Sequence, residues 1–176
     1  LTANEVWGNK TSVLVGDFLF SRAFQLMSKN SSQKILKLLS DTSVIISEGE
    51  MLELNNDKNL TINEDIYLEV IHGKTASLFS AACQVGGMSA ETSKEKIEAL
   101  RSFGTNFGVS FQLIDDVIDY SSTTNEIGKN IGDDFKEGKV TLPLIIAYLR
   151  SNSQEKEFWK KTIQNLKQEK NDFNKA

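Results

Sequence analysis

Apolar residues recur every three or four positions through most of this chain, and a single proline interrupts them, so α-helix is the one element it can build at length. No alternating strand pattern stands beside that period. The fold class expected is therefore all-α, a single helical domain over residues 1–176 without internal repeats. Helices are expected over about 11–28, 33–54, 62–85 behind a Thr61 cap with Glu64 closing a capping box, and 92–120. Gly86 and Gly87 end the third of these. Another helix opens near Thr141, with Pro143 in its first turn, where the missing N–H is no loss. Trp159, Ile163 and Leu166 then trace a last amphipathic helix before a polar, frayed end.

The stretch Phe111–Tyr120 carries the strongest chemical signal. At helical spacing Gln112, Asp115, Asp116 and Asp119 share one stripe, while Phe107, Phe111, Ile114 and Ile118 form a neighbouring apolar stripe expected to face the core. Each aspartate costs about 0.5 kcal/mol in a helix interior relative to alanine. Carboxylates about 6 Å apart repel by about 3 kcal/mol at an effective dielectric near 20. A solvated acidic face normally mixes in lysine for i,i+4 pairing, and this turn has none. Oxygen-only donors suit a hard cation, Mg²⁺ before Zn²⁺, and Mg²⁺ shares its coordination with water and phosphate oxygens. The stretch thus predicts a metal ion and a diphosphate together.

Elsewhere the residues leave alternatives open. Asp17 sits in the apolar run Val13–Phe20 and reads as a buried carboxylate with a structural partner. Gly49 permits close helix approach or a bend, and Glu48 and Glu50 beside it read as exposed charges. Lys74 lies on a stripe with Tyr67, Ile71, Leu78 and Ala81; its ammonium either snorkels to water or enters an anion pocket. Glu69 and His72 are half of a di-iron signature, but with one histidine in the chain that site cannot be completed. Gly104 and Gly108 make a groove for a closely packed helix or a long ligand chain. Residues 121–139, glycine-rich and basic, read as a surface connection or as a lid over phosphates.

Charge and cysteine content narrow the classes. A net charge of −4, with 20 basic residues interspersed among 24 acids, argues against a nucleic-acid surface. Cys83 is the only cysteine, so no intrachain disulfide forms, and a reducing, cytoplasmic location is expected. No apolar run reaches the length of a membrane span, so membrane contact is at most peripheral.

FQLIDDVID followed by GKNIGDDFKEGKVTLP resembles the second aspartate-rich motif and following loop of the trans (E-type) polyprenyl diphosphate synthases, in their long-chain branch. ANEVWGNKTSVLVGDFLFSRAF, SEGEMLEL and HGKTASLF resemble other segments of that family, in the same order, over about residues 1–150. The resemblance implies a terpene synthase-like helical bundle, here incomplete. The family's first DDxxD motif precedes the residues matching Leu1, and members continue beyond the last residues of this chain. It also implies Mg²⁺ on Asp115, Asp116 and Asp119, the allylic diphosphate on Lys74 and Thr75, and diphosphate contacts from Lys129 and Lys139, with Asp133 in the same segment and Asp134 and Lys136 unassigned. Gln112 orients the substrate end of the pocket. Glu50 matches the family's Gln-Gly-Glu segment and Glu48 departs from it. The activity implied is condensation of an allylic diphosphate with isopentenyl diphosphate to a long-chain all-trans polyprenyl diphosphate, a quinone side-chain precursor, by a homodimer. DDxxD with three aspartates favours this coupling over the cyclases and squalene-type synthases of the same architecture. The alternative is a non-catalytic remnant, or a partner subunit of a complete synthase.

Overall fold

The computed structural model describes residues 2–121 and 131–176, and divides the chain into two compact units, Leu1–Asp41 and Thr42–Ala176. In the first unit α1 spans Ala3–Asn30. It starts earlier than the apolar period suggests, because Thr2 and Glu5 form a capping box. Gly8, at φ +79°, interrupts it with a backbone conformation that suits glycine. Asp17 is exposed, against the expectation of a buried carboxylate, and so are Val13, Leu14, Phe18 and Phe20. The apolar residues around Asp17 are themselves exposed, so they bury no carboxylate among them.

The boundary between units falls within α2, Gln33–Asn56. In the second unit α3 spans Glu64–Ile71 and α4 spans Ser77–Ser89, joined without a break by a π-turn at His72–Ala76. Asn63, not Thr61, caps α3: its side chain accepts from the Ile66 amide at 3.0 Å, while the Thr61 hydroxyl donates to Asn59. The π-turn inserts one residue into the helical repeat. It shifts the register, so Leu78 points outward whereas Tyr67, Ile71 and Ala81 remain buried. Gly86 and Gly87 do not end α4. Neither takes a positive φ, and the Gly87 position is filled instead by Leu100.

α5, Lys94–Ser121, packs against α4 and the π-turn through its glycines. A Cβ on Gly104 would sit 2.6 Å from the Phe79 carbonyl oxygen, and one on Gly108 2.6 Å from the Ala76 Cα. The glycine groove therefore receives a helix. The expected core stripe on this helix is overturned: Phe107, Phe111 and Ile114 are exposed and Ile118 is half-buried, whereas Asp116, at 3 % exposure, is buried along with Gly104 and Gly108. Periodicity shows that a helix is two-sided without showing which side is covered, and here the acidic side faces the interior.

A short helix α6, Asp133–Glu137, lies inside the segment expected to be loop. α7 spans Leu142–Arg150, with Pro143 in its first turn, and α8 spans Ser153–Trp159, continuing as a π-turn to Gln164. Leu166 lies beyond it, at φ +50°. Phe135, Leu144, Trp159 and Ile163 close one core cluster; Tyr67, Ile71 and Ile145 close a second. The chain end is tied down, not frayed. Asp172 is buried, accepting from the Glu169 amide at 3.0 Å and from Lys175 at 3.1 Å. The adjacent Phe173 ring rests on Phe135 and Tyr120 and against Gly132. Among the described residues no helix is long and apolar enough to cross a membrane.

Candidate active site

α2, α3, α5 and the α6–α7 connection surround a cavity of about 250 Å³ in the second unit. Lys74, Gln112, Asp115, Asp116 and Lys139, all expected from the sequence, line it together. Thr75 joins them through Gln112. Asp119 does not line the cavity, and Lys129 lies outside the described residues.

Asp116 is the fixed point. Tyr67 donates to its Oδ2 at 2.6 Å and Gln112 donates to its Oδ1 at 2.8 Å, while the Thr75 hydroxyl donates to Gln112 Oε1 at 2.9 Å. Both ends of the Gln112 amide are thus engaged within the protein, which makes Gln112 a residue that orients Asp116. Burial pushes the Asp116 carboxyl above the usual range, and the bonds from Tyr67 and Gln112 partly oppose this. Burial and the charge of Asp116 push the Tyr67 hydroxyl up as well, so it stays protonated and able to donate.

Lys74 emerges from the π-turn and pairs with Glu53 of α2, with Glu50 at 3.5 Å. Burial lowers its affinity for a proton, but the bond and charge of Glu53 outweigh this and its pKa lies above the ordinary lysine value. The side chain lines the cavity, half-buried against the two acids of α2. Glu50, read as a plain surface charge, contributes to holding it. α2 comes this close because residue 49 is glycine: a Cβ there would lie 2.5 Å from the Lys74 amide nitrogen. Across the cavity Lys139 pairs with Glu137 at 2.7 Å and Asp134 at 3.8 Å.

Asp119 turns away to receive α6. Its oxygens accept from the amides of Asp133 at 3.3 Å and Asp134 at 3.1 Å, and its carbonyl accepts from Gly132 at 3.0 Å. This brings Asp134, unassigned in the sequence, to the cavity wall. Burial first, then the charges of Asp119 and Asp116, push its carboxyl up to about 7. The folded value lies above the unfolded one. Asp134 therefore favours the ligand-free fold below about pH 4, and that contribution is lost as the pH rises through about 7. Thermal unfolding should accordingly show the advantage of Asp134→Asn over wild type widening between about pH 5 and pH 8. An advantage that stays constant or shrinks would contradict the stated burial of the charge.

Among the described residues no three acidic, histidine or cysteine side chains are grouped to hold a metal ion by themselves. Asp115 and Asp116 nonetheless fit a hard cation that takes one or two carboxylates and completes its shell with water and phosphate oxygens. The raised Asp116 carboxyl marks a buried negative charge that a cation would offset.

Glu53, Tyr67 and Asp134 were not identifiable from the sequence. Tyr67 and Asp116 are 49 residues apart, and no local spacing announces their bond.

Comparison with known proteins supplies the context. The family model described as Polyprenyl synthetase matches residues 1–176. The chain is 47% identical over 146 residues, 83% of its length, to octaprenyl diphosphate synthase of Escherichia coli, covering 45% of that protein. It is 44% identical over 162 residues, 92% of its length, to an all-trans-nonaprenyl-diphosphate synthase of Rhodobacter capsulatus, covering 50% of it. The crystal structure of a polyprenyl synthase from Caulobacter crescentus, complexed with calcium and isoprenyl diphosphate, superposes with a TM-score of 0.95 at 48% identity, over 99% of this chain and 53% of that one. The chain spans about half the length of the curated relatives it matches.

Proposed function

The chain belongs to the polyprenyl synthetase family, and from that membership we propose that its cavity binds the diphosphate of an allylic substrate with Mg²⁺, for elongation by isopentenyl diphosphate to a long-chain all-trans polyprenyl diphosphate. The observation that carries this reading is the convergence of Lys74 and Lys139 with Asp115 and Asp116 on one cavity. Two lysines and five carboxylates, Glu53, Asp57, Asp115, Asp116 and Asp134, line the one cavity; the excess of acid suits a divalent ion, and the lysines suit the diphosphate that shares its coordination. The Caulobacter structure, with calcium and isoprenyl diphosphate together, supports it.

In the reaction the allylic C–O bond breaks, the double bond of isopentenyl diphosphate attacks the allylic carbon, and a proton is lost. Pyrophosphate is the leaving group. A bound divalent ion supplies charge neutralisation that helps it leave. Lys74 and Lys139 hold positive charge where the leaving group gains negative charge. Glu53 keeps Lys74 ionised and aimed, and Tyr67 and Gln112 keep Asp116 oriented. Ile62, Val70, Ile71 and Val140 form the apolar part of the wall. Lys129 and Asp119 stay within the proposal as a phosphate contact and a metal ligand. The same reading includes a cytoplasmic homodimer; the exposed apolar residues of α1 support assembly with another surface.

Incubation with farnesyl diphosphate, labelled isopentenyl diphosphate and Mg²⁺ tests the activity. Labelled product longer than farnesyl diphosphate supports a synthase. Pyrophosphate binding without elongation supports the partner-subunit reading, and absence of both would overturn the proposal.

A further inference from the structure

Thr141 lines the same cavity and is 8% exposed, yet its hydroxyl has no hydrogen-bond partner among the described residues. It occupies the N-cap of α7, where a threonine side chain ordinarily accepts from an amide of the first turn, and no such bond is made. Its backbone carbonyl meets its own obligation, accepting from the Ile145 amide at 3.0 Å. Burying a hydroxyl without a partner is unfavourable, and an isosteric valine would avoid the cost. The other such atom among the described residues, the Tyr120 hydroxyl, does not line this cavity. The carboxylates of Asp116 and Asp134 share the cavity with Thr141 without taking its bond. We propose that Thr141 is a ligand-contacting residue whose hydroxyl donates a hydrogen bond to an oxygen of the bound diphosphate.

This role rests on the diphosphate reading of the cavity. It adds a neutral donor to the two ammonium groups. Lys139, two residues earlier, approaches from the same connection, so one short segment presents a cation and a hydroxyl to the cavity. A threonine at a cap position that leaves the cap unmade is thereby explained.

Calorimetric titration with inorganic pyrophosphate in the presence of Mg²⁺ tests the assignment on wild type, Thr141→Val and Thr141→Ser, with the thermal midpoint of each ligand-free protein recorded. The expected result is about a tenfold loss of affinity for Thr141→Val, as for one hydrogen bond to a charged group, and less than about twofold for Thr141→Ser. The ligand-free midpoint of Thr141→Val should equal or exceed that of wild type, because the valine removes an unpaired buried hydroxyl. Unchanged affinity in Thr141→Val would overturn the role. So would a lowered ligand-free midpoint that serine restores, which would place the hydroxyl's partner inside the protein. If wild type itself binds no pyrophosphate, the diphosphate reading falls and the contact falls with it; if only the valine variant is unaffected, that reading stands without Thr141.

Discussion

Lys74→Met should weaken binding of Mg²⁺–pyrophosphate by about a hundredfold or more. The loss has two parts. One is the donor itself: truncating one partner of a buried, hydrogen-bonded charge pair costs about 2–5 kcal/mol of binding. The other is what the donor leaves behind. Glu53 and Glu50, now paired with the ammonium, become uncompensated acids beside the position the diphosphate would take. Lys74→Met combined with Glu53→Gln should therefore recover part of the loss, since the glutamine removes one of those charges. Equal affinities for Lys74→Met and wild type would show that the ammonium does not face the ligand. An additive double variant, with no recovery, would show that Glu53 acts elsewhere.

Gly49→Ala should destabilise the fold by about 3 kcal/mol, lowering the thermal midpoint by about 10 °C. The atoms a Cβ would strike are the Lys74 amide nitrogen at 2.5 Å and the Gly73 carbonyl carbon at 2.8 Å. Both belong to backbone, so no side-chain rotation relieves the overlap. α2 must move off the π-turn, and Glu53 moves away from Lys74 with it. Pyrophosphate affinity should fall along with stability. Gly86→Ala is the contrasting case, because Gly86 sits in α4 with nothing within 4 Å of its Cβ position. Alanine there should stabilise by about 0.5–1 kcal/mol through helix propensity. Chemical denaturation of both variants checks the pair, and a neutral Gly49→Ala would mean that α2 and the π-turn are farther apart than described.

The parts of this molecule readable from its sequence are those carried by local spacing. The bounds of α2 and α5, the acidic stripe through Asp116 and the proline in the first turn of α7 follow from period and capping chemistry. The close approach at Gly49 and the helix-receiving groove at Gly104 and Gly108 were open alternatives, decided by which backbone arrives. Where the expectation failed, the cause was something local pattern does not encode. The π-turn at His72–Ala76 changes the register after Lys74, and so moved Leu78 off the shared stripe. Phe111 and Ile114 show the same helical period whether or not anything covers them, and here they are exposed. In the site, Glu53 lies 21 residues from Lys74, and Tyr67 lies farther still from Asp116. Only the folded chain brings them together.

The claim on which the rest depends is that this cavity takes a diphosphate and a divalent ion jointly. Calorimetric titration of pyrophosphate into wild type and Asp116→Asn, each with and without Mg²⁺, addresses it directly. The expected result is one site per chain in wild type that requires Mg²⁺, and an affinity at least about tenfold weaker in Asp116→Asn under the same conditions. Binding that is indifferent to Mg²⁺, or an Asp116→Asn variant as strong as wild type, would contradict it.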